Sequence, residues 1–95
     1  KKHDRQYEKI DSVLAAHARL GAQPLFLVVA TDNPHVPWTA LEGYDPKTVD
    51  LPPFLVDTDV TRRVRAEYYT DVTDMDKTLG ECLKSMKKYG YDQTA

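Results

Sequence analysis

Cysteine is almost missing. The 95-residue chain has one, Cys82, so no disulfide can close within it and no paired-cysteine metal or redox motif can form. Long apolar runs are missing as well. Leu25–Ala30 falls far short of the ~20 residues that a membrane helix requires. An excess of basic charge is missing: 13 Lys and Arg face 15 Asp and Glu, a net charge of −2. Nothing global therefore draws the chain to nucleic acid or to an anionic membrane surface, and neither is expected as a partner. Internal repeats and low-complexity segments are absent. Strands are scarce too, since only one stretch of the sequence reads convincingly as β.

What is there reads as helix, strand, long helix. Tyr7, Ile10, Val13, Leu14 and Leu20 recur at three- and four-residue spacing among alanines, which predicts a helix over 4–21 ending at Gly21. The unbroken apolar run after Pro24 predicts a strand over 24–31, covered on both faces like a central strand of a parallel sheet. Residues 32–56 hold five of the six prolines and read as a long irregular excursion, a length that in a compact domain points to function or to packing against another element. A long helix follows over 58–89. Val60, Val64, Tyr68, Val72, Met75, Leu79, Cys82, Leu83 and Met86 form its apolar stripe, one of Asp57, Thr58 or Asp59 caps it, and Gly90 ends it. Gly80 inside that helix suggests close approach by another element. One strand cannot make a sheet, because its backbone groups need neighbours. The expected fold class is therefore α/β, with these elements as one segment of it.

Most chemistry-bearing residues have a plain structural reading. Asp57-Thr58-Asp59-Val60-Thr61 matches the DxDxT nucleophile pattern of phosphatases, but a helix cap accounts for it better, since only three apolar residues separate it from Pro53. Asp71, Asp74 and Asp76 lack the glycine and the final glutamate of a calcium loop. Asp71 and Asp74 read as a solvated helix face. His17 reads as a packing histidine, Cys82 as core, and Tyr68-Tyr69 as one ring inward and one outward. His35 is the exception. It follows a strand end, lies between Pro34 and Pro37, and has the only tryptophan, Trp38, three residues on. A histidine so restrained can donate to a phosphate or sulfate oxygen or protonate a leaving group. On local chemistry alone, an exposed loop histidine explains it equally well.

Three stretches taken together are more specific than any one of them. PLFLVVATDNPHVPW, then YDPKTVDLPPFLVDT, then RRVRAEYYTDVTDMDKTLGECLKSMKKYGYDQT resemble, in order and spacing, the type I sulfatase family of the alkaline-phosphatase-like superfamily. Within it the chain looks most like the heparan N-sulfatase (sulfamidase)-related branch. The likeness runs from about residue 7 to the end. It rests on the Pro-His-x-Pro-Trp loop, the Leu-Pro-Pro-Phe-Leu segment, an arginine ahead of a Tyr-Tyr pair, Asp76 four residues before Gly80, and a closing Gly-x-Asp-x-Thr.

The resemblance implies a large α/β sandwich around a mixed sheet. It also implies a formylglycine nucleophile made from Cys or Ser in a C/S-x-P-x-R motif, and a calcium ion beside it. The natural substrate would be a sulfuric ester or sulfamate, on a glycan such as a glycosaminoglycan. The compartment would be lysosomal, periplasmic or extracellular. Residue by residue, His35 matches the family's sulfate-contacting histidine and nothing else matches a catalytic position. The C/S-x-P-x-R motif and the calcium ligands have no counterpart in these residues. Residues 1–95 are thus expected to be an internal fragment of a sulfatase catalytic domain, inactive alone. Two other readings stand: a non-catalytic helical interaction module, or a segment of another hydrolase of the superfamily, such as a phosphodiesterase.

Overall fold

The computed structural model describes residues 7–21 and 23–93. Two α-helices and one short 3-10 turn are the regular elements: α1 (Tyr7–Ala18), α2 (Asp59–Lys88) and the turn Tyr91–Gln93. Residues 4–6 of the expected first helix, and Thr94 of the closing Gly-x-Asp-x-Thr, lie outside the described residues. Residues 23–32 are neither helix nor turn, and no strand ladder occurs among the described residues. The stretch expected as strand 24–31 therefore lacks a β partner here.

α2 begins where its side chains can close the helix end. The Thr58 hydroxyl accepts the Thr61 amide at 3.1 Å, and the Thr58 carbonyl takes the Arg62 amide at 3.0 Å. Thr58 is thus the cap among the three candidates. Asp57 has a different task. Both of its carboxylate oxygens receive Arg62, at 2.6 and 2.9 Å, which leaves the DxDxT pattern as a helix start. At its other end α2 stops at Gly90, whose φ of 80° is a backbone conformation that glycine adopts without a Cβ clash.

The chain divides into two compact units, and α2 contributes to both. Among the described residues, the first comprises residues 32–75 and the second those up to 31 and from 76 on. In the second unit Leu14 and Cys82 are buried. A cavity of about 830 Å³ is lined by Leu14, Leu25, Leu27, Cys82, Met86 and Tyr91, among others. A polar clasp holds α1 to the end of α2: Asp11 accepts from the Tyr89 hydroxyl at 2.9 Å, Lys88 Nζ at 3.1 Å and the Ser85 hydroxyl at 3.4 Å. His17 is satisfied at both ring nitrogens. Its Nε2 donates to the Pro24 carbonyl at 3.3 Å, so in the neutral ring Nδ1 accepts from the Tyr91 hydroxyl at 2.6 Å.

In the first unit the irregular excursion folds onto the front of α2. Arg62 Nη1 donates to the carbonyls of Lys47 and Val49 at 3.2 and 3.1 Å, with Pro46 at 3.5 Å. Thr70 Oγ1 accepts the Glu42 amide at 3.0 Å, and Tyr44 and Thr73 hydroxyls meet at 2.6 Å. Val49 and Ala66 are buried.

Three sequence expectations are corrected. The buried side chains of this part of α2 are Ala66, Thr70, Asp71 and Asp74, whereas Val60 is 72% exposed and Val64, Met75, Leu79 and Leu83 are exposed too. Asp71 and Asp74 are therefore not a solvated face. The excursion brings backbone N–H groups that need acceptors, and a polar helix face supplies them. Tyr68 and Tyr69 do not split inward and outward. Both are half-buried, the first edge-on to Trp38 and the second to Tyr44. At Gly80, an added Cβ would meet nothing within 4 Å, so no described element approaches it closely.

Candidate functional site

The Pro-His-x-Pro-Trp loop is closed by its own backbone. The His35 amide donates to the Asp32 carbonyl at 2.6 Å, closing a tight turn in which the Pro34 ring fixes φ. The bonds preceding Pro34 and Pro37 are both cis. Trp38 then folds back, its indole Nε1 donating to the Pro34 carbonyl at 2.9 Å. The span from Pro34 to Trp38 is thereby a closed ring of chain with His35 inside it.

The loop is also tied to α2. The Trp38 ring meets Tyr68 edge-on at 5.4 Å between centroids, an arrangement that aromatic quadrupoles favour. The next residue, Thr39, gives both its donors to Asp71: the hydroxyl to Oδ1 at 2.9 Å and the amide to the same oxygen at 3.3 Å. Asp71 is fully buried, at 0% exposure. Asn33, at the loop's other end, is buried as well.

His35 itself is exposed. Its Nδ1 lies 2.6 Å from the Val36 carbonyl, and a carbonyl can only accept, so Nδ1 carries a proton. This fixes the chemistry of the other nitrogen. In the neutral ring Nε2 holds a lone pair, and in the imidazolium it becomes a second donor. An anion is therefore met by Nε2 only when the ring is protonated, while the neutral ring offers a base.

Other candidates gather no further chemistry. Among the described residues no group of three or more His, Cys, Asp or Glu side chains could hold a metal ion. No described helix is long and apolar enough to cross a membrane. Arg65 lies over the Tyr68 and Tyr69 rings at 5.2 and 5.3 Å, a cation–π position. Sequence reasoning singled out His35 and Trp38 and did not anticipate the Thr39–Asp71 contact that ties the loop to α2. The available signal was the run Ala66, Thr70, Asp74 at four-residue spacing, a stripe of small and polar residues suited to a backbone-rich partner.

A family model, Sulfatase, matches residues 2–95. The chain belongs to the sulfatase family. No curated protein and no solved structure matches it significantly.

Proposed function

We propose that the chain is an internal segment of a sulfatase catalytic domain and that His35 supplies a donor to the substrate's sulfate. The observation that carries this reading is the geometry of His35: an exposed ring on a closed loop, with Nδ1 committed to the Val36 carbonyl. Nε2 is thereby the atom that meets an anion, and it does so as the imidazolium. His35 binds and orients. It forms no bond to sulfur.

In this reading the parent fold is the α/β sandwich, and strands from other segments flank residues 24–31. The sulfamidase-related branch is the nearest resemblance in motif order, which makes a sulfated or sulfamated glycan the substrate class. The formylglycine nucleophile and the calcium ion belong to segments other than this one. Among the described residues no group of three or more His, Cys, Asp and Glu side chains could hold that ion.

The test is His35→Ala in the full-length enzyme. Loss of the contact should lower kcat/KM by about tenfold or more, or ~1.4 kcal/mol of transition-state binding, with the far-ultraviolet dichroism unchanged. Wild-type kinetics in this variant would reject the role. Comparing an aryl sulfate with a phosphodiester as substrate separates the sulfatase from a phosphodiesterase of the same superfamily.

A further inference from the structure

We infer that Asp71 is the positioning residue of the His35 loop. Its link to the sulfate rests on the reading just given; its hold on the loop stands on geometry alone. A buried carboxylate in a helix is costly to keep ionised unless donors surround it. Asp71 is wholly buried, and its Oδ1 collects both donors of Thr39. Thr39 is the residue directly after Trp38. Trp38 in turn closes the loop onto Pro34, the residue directly before His35.

The chain of contacts is therefore short and complete: Asp71 holds Thr39, Trp38 holds Pro34, and His35 lies between the fixed ends. Tyr68, three residues before Asp71 and on the same side of α2, presses on the Trp38 ring. One turn of helix thus supplies both a polar and an aromatic hold. Replacing the aspartate by a small apolar residue keeps the helix but leaves the Thr39 amide and hydroxyl without this acceptor. The loop then gains alternative positions, and His35 with it.

The experiment uses the full-length enzyme with Asp71→Ala, Asp71→Asn and Thr39→Val, each also combined with His35→Ala. Hydrogen exchange is followed by mass spectrometry over residues 32–41. Asp71→Ala should speed exchange there by about tenfold or more while residues 79–88 keep their wild-type rates. Asp71→Asn, which retains an oxygen acceptor, should stay within about threefold of wild type. Turnover of a chromogenic aryl sulfate or sulfamate gives the second readout. Asp71→Ala should cost about tenfold in kcat/KM when His35 is present and less than about twofold when it is already alanine, because residues acting through one contact are not additive.

Wild-type exchange in both Asp71→Ala and Thr39→Val overturns the inference. So do equal losses of kcat/KM in the two His35 backgrounds, which would mark a purely structural residue. If Asp71→Ala does not fold, Thr39→Val decides, since it removes a donor from the loop side and leaves α2 intact. If His35→Ala alone has wild-type kinetics, the sulfate reading fails, and the exchange rates still decide whether Asp71 holds the loop.

Discussion

Asp11 joins α1 to the end of α2 through the Tyr89, Lys88 and Ser85 side chains. The Tyr89 hydroxyl first, and Lys88 second, hold its carboxyl below the ordinary carboxylate value. A carboxyl lowered in this way stabilises the folded state above its unfolded pKa, and the contribution disappears as pH falls through the folded one. Asp11→Asn should therefore lower the melting temperature at neutral pH. The difference from wild type should close as the pH falls below the usual carboxylate range and through the lowered pKa of Asp11. A gap that persists in acid would show that packing, rather than charge, carries the contribution. Lys88 is raised by the Tyr89 hydroxyl first and by Asp11 second, so its share remains through neutral pH and is lost only in strong base. His17 shows the opposite economy. Both nitrogens are already bonded within the fold, as its place beside the apolar stripe of α1 suggested. His35 was ambiguous from its neighbours alone. What resolves its ring is a carbonyl one residue away, a contact that spacing cannot reveal.

At the scale of elements, α2 was legible at both ends and misleading in the middle. Thr58 at the start and Gly90 at the stop are local chemistry, which sequence records directly. Thr58→Ala should cost about 1 kcal/mol, as loss of a capping oxygen does, measurable as a lowered denaturant midpoint at constant slope. An unchanged midpoint would move the cap to Asp57, whose carboxylate here belongs to Arg62. The interior failed for a physical reason. Hydrophobic periodicity assumes that the neighbour is apolar, whereas the neighbour of residues 66–74 is an irregular segment rich in backbone donors. Against such a partner Thr70, Asp71 and Asp74 are the inward side. The irregular character of 32–56 itself was legible from its prolines. How it folds onto α2 was not, because Arg62 reaches carbonyls 13 to 16 residues away.

For the whole molecule, the decisive quantity is the apolar surface left in solvent. Phe26, Val28, Phe54, Val56 and Val60 are each more than two-thirds exposed, and residues 23–32 make no ladder. Backbone outside any ladder, carrying exposed apolar side chains, favours association. The isolated chain should accordingly sediment as concentration-dependent oligomers, and Phe26→Asp with Val28→Lys should shift it toward monomer. A monomer across the micromolar range would indicate that these side chains need no cover. The family was legible from the order of three stretches spread along the chain, none of which decides it alone.

One detail of that surface has a further consequence. Leu25, Phe26, Leu27 and Val29 all line the cavity, with Leu25 and Val29 at 36% and 39% exposure and Phe26 and Val28 at 91% and 71%. The odd positions are the less exposed set and the even positions the more exposed, the alternation of an extended chain. Relative exposure along this stretch thus follows parity. Inserting one residue between Gly21 and Leu25 would exchange the two sets, while inserting two would restore them. The connector's length therefore carries information that its composition does not, and natural variation there should come in pairs.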